Sequence, residues 1–147
     1  MRLWHKDLIT VLPRQQLLGQ WRECCLIAKS ISEKGTPNHI LVNKVCDYPI
    51  DHFATYCEMV CIEMECRGYR CDFRRIRKYL SLIDGIVSSA ELDIVSHEEL
   101  FYPWHGFRYL RQCLYNLQEK HDCGGVSDEE WEKIKRRICF DGIGVFD

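Results

Sequence analysis

The sequence predicts a single all-α domain that spans residues 1–147. Apolar residues recur every three or four positions almost throughout, which is the period of an amphipathic helix, and no segment alternates as a half-buried strand does. Glycine, proline and serine divide the periodic segments into pieces of helix size. A chain of 147 residues also has the length of one compact domain with its own core.

The first helix is predicted to start at Pro13, because proline suits the first helical position. Its inner stripe comprises Leu17, Trp21, Cys24 or Cys25, and Ala28. Helical spacing brings a polar set onto another face, with Arg22 beside it: Gln16, Gly19, Gln20 and Glu23. Glycine in a helix interior costs about 1 kcal/mol relative to alanine, so Gly19 indicates a place where something packs closely.

Residues 33–50 are predicted to form a polar connection with a short ordered piece at 40–45. Asp51 can cap a second helix, which Gly68 ends. The apolar positions of this helix are Phe53, Tyr56, Val60, Cys61 and Met64. Asp72 can cap a third helix, with arginines outward and these residues inward: Phe73, Ile76, Leu80 and Ile83.

Gly85 and the pair Ser88-Ser89 interrupt the pattern, and a short helix is predicted at 90–101, before Pro103. The next helix is predicted from about 105 to 120, ending at Gly124 and Gly125. Its stripe is Phe107, Leu110, Leu114 and Leu117. Ser127 and Glu130 have the spacing of a capping box for a last helix through about Cys139.

The net charge of −2 is not that of a strongly basic nucleic-acid binder. Its distribution is uneven, because residues 67–78 carry five arginines and one lysine against one acid, while acidic residues concentrate in 91–99 and 128–132. This asymmetry is compatible with a basic face that meets DNA or with a solvated helix surface.

Residues 4–7 interrupt any secretory signal, and no apolar run reaches the length of a membrane span. We therefore expect a soluble, cytoplasmic protein whose ten cysteines stay reduced. Pairs of the C-x-x-C type are absent. A metal site built from Cys57, Cys61 and either His52 or Cys66 is the alternative to cysteines that act as small buried hydrophobes.

The start of the chain could supply a nucleophile. An α-amine titrates near pH 8, against about 10.4 for lysine, so roughly one in ten is neutral at pH 7. A neutral amine can attack a carbon electrophile. Met1 would carry this amine, because methionine is normally retained before a residue as large as Arg2.

Three segments resemble the pyrimidine-dimer DNA glycosylase (endonuclease V-like) family. They are the start MRLW with LPRQQLLGQWRE at 12–23, EMECRGY at 63–69, and YPWH at 102–105. The MRLWH start is similar to that of a bacterial branch of the family. The resemblance implies a compact helical protein that binds damaged double-stranded DNA, excises a base and cleaves the strand. It implies no metal and no small-molecule cofactor.

The resemblance also implies the residues that do the chemistry. The N-terminal amine, of Met1 or Arg2, would form a Schiff base at C1′ of deoxyribose, and Glu23 would assist. The candidate DNA contacts are Gln15, Gln16, Arg22, Arg67, Arg70 and His105.

Two other functions stay open at this point. The first is a DNA-binding or scaffold protein that keeps the fold without the chemistry, since apolar residues 26–28 stand where the family carries a further helix arginine. The second is a cysteine-rich metal or redox protein. The sequence names neither the lesion nor the oligomeric state.

Overall fold

The computed structural model describes residues 1–83 and 92–138, and all regular structure in these two ranges is helical. The five α-helices described are α1 (Arg14–Lys34), α2 (Ile50–Cys66), α3 (Arg74–Leu80), α4 (Phe107–Asp122) and α5 (Asp128–Arg137). Two 3-10 helices, Lys6–Val11 and Asn43–Asp47, precede α1 and α2. The predicted all-α class is therefore confirmed.

Helix α1 packs against both α2 and α3, while α5 packs against α4 and the first 3-10 helix. The stripes predicted for the first two helices supply much of the core, because Leu17, Cys24 and Phe53 are fully buried. The chain start joins the same cluster through Leu3 and Trp4. The first residues of the chain are thus part of the packed core, which fixes where the terminus can lie.

The predicted starts of the five described α-helices lie within two residues of the observed starts. Pro13 and Pro49 occupy the N-cap positions of α1 and α2, so Asp51 lies in the first turn of α2 and the prediction that it caps the helix is wrong. A carboxylate in the first turn still stabilises the helix, because it interacts favourably with the positive end of the helix dipole. Asp72 precedes the cap of α3 and accepts a hydrogen bond from the backbone N–H of Arg74 at 3.0 Å.

Two ends match their predictions. Gly68 lies directly after Arg67, the C-cap of α2, with φ 79°, a left-handed conformation that favours glycine. Ser127 and Glu130 form the capping box at the start of α5. The predicted end near Cys139 lies outside the described residues, as do Gly85 and Ser88-Ser89.

The predicted helix at 90–101 is wrong for its described part, because residues 92–104 form irregular chain and turns. Lys6 gives the physical reason. Its ammonium donates to the backbone carbonyls of His97, Glu98 and Leu100, with N–O distances of 3.3 Å for Glu98 and 3.0 Å for Leu100. Because these carbonyls bind the ammonium, a tertiary contact and not a helical hydrogen-bond ladder holds this segment.

The stripe predicted for α4 holds at Leu110, Leu114 and Leu117, which are buried, but not at Phe107. Phe107 is the first residue of α4 and is 56% exposed. The guanidinium of Arg111 lies over its ring, 5.8 Å from the centroid. The ring therefore packs against its own helix surface rather than the core.

Several cysteines, including Cys24, Cys57 and Cys113, are fully buried among apolar side chains. Cys71 donates to Cys61, with their sulfur atoms 2.8 Å apart. In ranges 1–83 and 92–138, no three histidine, cysteine or acidic side chains are placed to bind a metal ion. None of the helices in these ranges is both long and apolar enough to cross a bilayer.

Candidate active site at the chain start

Gln20 of α1 fixes the chain start through its side-chain amide. Its Oε1 accepts the backbone N–H of Trp4 at 2.7 Å, and its Nε2 donates to the backbone carbonyl of Arg2 at 3.0 Å. The side chain is only 1% exposed, so these hydrogen bonds lie in a medium where they are strong. One residue thereby sets the path of the chain on both sides of Leu3.

Two tyrosines bind the same segment from other helices. The hydroxyl of Tyr56, on α2, lies 2.6 Å from the carbonyl oxygen of Trp4, and that of Tyr109, on α4, donates to the carbonyl of Leu3 at 2.5 Å. Burial raises the pKa of both phenols well above its ordinary value, so each keeps the proton that it donates. Three helices together position the first four residues.

Glu23 of α1 lies beside the N-terminal end of this segment. Its Oε2 accepts the backbone N–H of Arg2 at 3.3 Å and lies 3.5 Å from the Nε2 of Gln20. The α-nitrogen of Met1 is one residue closer to the N-terminus. The carboxylate therefore contacts the backbone nitrogen of the second residue and lines the same cleft as Met1.

The chain start opens onto a cleft of about 360 Å³. Its walls come from the terminus, from one face of α1, and from three residues elsewhere: Met1, Arg2, Trp4, Gln15, Gln16, Gly19, Gln20, Glu23, Leu41, Asn116 and Lys120. Four side-chain amides, two cations and one carboxylate suit a polar, anionic substrate. The predicted face that carries Glu23 is therefore the floor of this cleft.

Gln16 carries a free acceptor at the cleft. Its Oε1 is buried and has no hydrogen-bond partner in the described part of the chain. Leaving such an acceptor unpaired costs roughly 1–3 kcal/mol, so it favours a ligand that brings a donor.

Gly19 also faces the cleft, and the protein does not require a glycine there. A Cβ atom added at this position would meet only the guanidinium of Arg22, at 4.0 Å. Nothing within the described chain packs closely on Gly19, although its spacing in the sequence suggested a close approach. The space above it is therefore available to a substrate.

Gly19→Ala is expected to stabilise the protein and to weaken DNA binding. Alanine favours the helix by about 1 kcal/mol, which raises Tm by about 2–4 °C in a chain of this size. The added methyl group occupies the floor of the cleft. Thermal melting and DNA titration measure the two effects, with Ser32→Ala on the same helix as the control that should not change DNA binding. If Gly19→Ala binds DNA with unchanged affinity, the assignment of this helix face as the DNA-binding floor of the cleft is contradicted.

Arg22 and Arg70 are exposed. Arg22 lies at the edge of the cleft, near Gly19, and also lines a second groove with Trp21, Lys29 and Arg75. The second groove is lined by three cations, so a basic surface adjoins the cleft on one side.

Two other predicted DNA contacts lie elsewhere. The guanidinium of Arg67 bonds Glu63 at 2.7 Å and the carbonyls of Leu12 and Thr10 at 2.8 and 3.2 Å, which ties the entry to α1 onto the end of α2. His105 is 3% exposed, and its Nδ1 accepts a backbone N–H. Burial lowers the pKa of His105 to about 2, so the ring is neutral.

Sequence reasoning missed Leu41, Asn116 and Lys120, which complete the cleft. Asn116 and Lys120 are four residues apart on α4, so their shared face was the signal available. Leu41 lies in a connection, and no local pattern marks such a position.

This is a helical protein in which the chain start and a glutamate of α1 line one polar cleft. The family model for pyrimidine dimer DNA glycosylase matches residues 1–76, just over half of the chain, and the chain belongs to this family. The match includes the terminus, α1 and α2, while the expected likeness at 102–105 lies beyond it. Neither the curated proteins nor the solved structures contain a significant match.

Proposed function

We propose that this protein is a DNA glycosylase and AP lyase that acts on damaged double-stranded DNA through its N-terminal amine, assisted by Glu23. Family membership supports a DNA-repair role of the glycosylase type. The observation that carries the finer proposal is the 3.3 Å contact between Glu23 Oε2 and the backbone nitrogen of Arg2, at the floor of an open cleft.

The arrangement supplies each group that the chemistry needs. The lone pair of the amine attacks C1′ of deoxyribose, and the bond from C1′ to the base breaks, with its electron pair and a proton leaving on the base. The attacking nitrogen loses one proton to a nearby base, for which Glu23 is placed. Its lone pair then breaks the bond from C1′ to O4′, the oxygen takes up that proton, and the sugar opens to an iminium that keeps one N–H. A proton then leaves C2′ and the 3′ phosphate is expelled by β-elimination. The carboxylate also stabilises the positive charge that develops at the sugar.

Two residues can supply the amine. If the initiator methionine stays, the nucleophile is the α-amine of Met1. If it is removed, the α-amine of Arg2 takes the position that is 3.3 Å from Glu23 in the structure. The side chain of Arg2 lies against Trp4, with the guanidinium 5.2 Å from the ring centroid.

We assign Gln15, Gln16, Arg22 and Arg70 to DNA contacts. Gln15 and Gln16 line the cleft, Arg22 lines the adjoining basic groove, and Arg70 is exposed. Backbone phosphates accept from such amides and guanidinium groups. We assign Arg67 to support of the fold because its guanidinium already binds the protein. We assign His105 to the same role because it is buried and its Nδ1 accepts the backbone N–H of Lys6.

Borohydride trapping on DNA with an abasic site tests the proposal. The tag-free protein is expected to form a covalent adduct, and mass mapping should place it on the N-terminal residue, which also identifies Met1 or Arg2. A variant with Gly-Ser added before Met1 is the control, since it moves the amine out of the cleft. DNA binding without an adduct would reject the lyase and leave a DNA-binding protein of this fold.

A further inference from the structure

Two adjacent apolar side chains project from the connection between α1 and α2. Ile40 is 86% exposed and Leu41 is 50% exposed. Solvation of two neighbouring large aliphatic side chains is unfavourable, so such a pair indicates a contact surface.

The turn that carries them is well fixed. The backbone N–H of His39 donates to Asn43 Oδ1 at 2.9 Å, and that of Val42 donates to the carbonyl of His39 at 3.0 Å. Val42 and Val45, which follow, are buried in the core. The turn thus presents Ile40 and Leu41 on an anchored base.

The pair borders a groove of about 300 Å³, whose other walls include Trp104, Tyr109, Lys44 and Arg108. Leu41 lines both this groove and the cleft of Glu23, so the two adjoin at this residue. The two charged residues of the groove, Lys44 and Arg108, are both cations. Apolar tips flanked by cations complement a duplex, whose stacked bases lie between rows of phosphates.

We infer that Ile40 and Leu41 form an apolar wedge that enters the base stack of the duplex beside the nucleotide in the cleft. This inference rests on the proposed function, because it takes DNA as the ligand of the adjoining cleft. The wedge opens one base step and exposes the sugar to the terminal amine, while Lys44 and Arg108 contact the flanking phosphates. Insertion costs base stacking, and the bent DNA then meets more protein surface. A chain with a net charge of −2 gains less from phosphates alone, so apolar contact has a larger share of its binding.

The test uses 2-aminopurine placed next to an abasic site in a duplex, because its fluorescence rises when it is unstacked. The wild-type protein is expected to raise the signal. The variant Ile40→Ser/Leu41→Ser should not raise it and should bind this duplex at least tenfold more weakly, with an unchanged salt slope because no charge is lost. Ile94→Ser is the matched control, since Ile94 is 81% exposed and also lies outside the helices.

Single-stranded abasic DNA separates this inference from the proposed function. Borohydride adduct formation on that strand needs no opened stack, so wild type and Ile40→Ser should react equally. Ile40 lies outside the cleft, and this single variant should likewise fail to raise the duplex signal. If the adducts are equal and the variant raises the duplex fluorescence as much as the wild type does, the wedge alone is overturned. A wild-type fluorescence rise that the variant lacks, without any adduct, would support the wedge and reject the chemistry. Self-association of the wild type that the double variant abolishes, with no effect on DNA, would assign the pair to a protein contact and overturn the wedge.

Discussion

Glu23→Gln is expected to bind abasic DNA as the wild type does and to cleave it about 10²–10⁴-fold more slowly. The substitution keeps the size of the side chain and an oxygen that can accept from the backbone of Arg2 and from Gln20. The chain start therefore stays in position, and only the capacity to accept a proton and to stabilise positive charge is lost. The loss corresponds to about 3–5 kcal/mol of transition-state stabilisation.

Single-turnover cleavage with protein in excess measures this loss without a contribution from product release. Glu33→Gln is the matched control, because Glu33 is an exposed carboxylate near the other end of α1. It should cleave at the wild-type rate. A Glu23→Gln rate close to the wild type would show that another group moves the protons, and Glu23 would then be a ligand of the chain start only.

The helices and one face of the site could be predicted because both depend on local spacing. Residues three and four apart on a helix share a face, and this rule placed these four side chains together at the cleft: Gln16, Gly19, Gln20 and Glu23. The capping box of α5 and the glycine after α2 have equally local causes.

The rest of the site depends on contacts between distant segments, which leave no period in the sequence. Nothing near Gln20 indicates that its amide binds residues 2 and 4, or that Tyr56 donates to the same segment. Lys6 reads as a surface cation, yet it binds three carbonyls of the segment after residue 96 and prevents the predicted helix there. A histidine can donate or accept a hydrogen bond both at the surface and in the core. The burial of His105 is therefore evident only from the fold.

Gln20→Ala is expected to slow cleavage by more than its loss of folding stability explains. The reason is that Gln20 holds the backbone of residues 2 and 4, which makes it a positioning residue for the proposed terminal nucleophile. Truncation removes the partner of the Trp4 N–H and of the Arg2 carbonyl, and each buried group left unpaired costs about 1–3 kcal/mol. The terminus then moves relative to Glu23. A displacement of about 1 Å can cost roughly a hundredfold in rate.

A destabilised control separates this effect from general loss of structure. Met64→Ala removes a buried side chain of α2 and is expected to cost about 2–5 kcal/mol, comparable to Gln20→Ala, without touching the chain start. Tyr56→Phe keeps the buried ring and removes only the hydroxyl that lies 2.6 Å from the carbonyl of Trp4. If positioning is the cause, Tyr56→Phe and Gln20→Ala slow single-turnover cleavage at a temperature where all variants are folded, and Met64→Ala does not. Equal slowing in all three would instead mean that the site fails wherever the core is weakened, and Gln20 would have no special part in placing the amine.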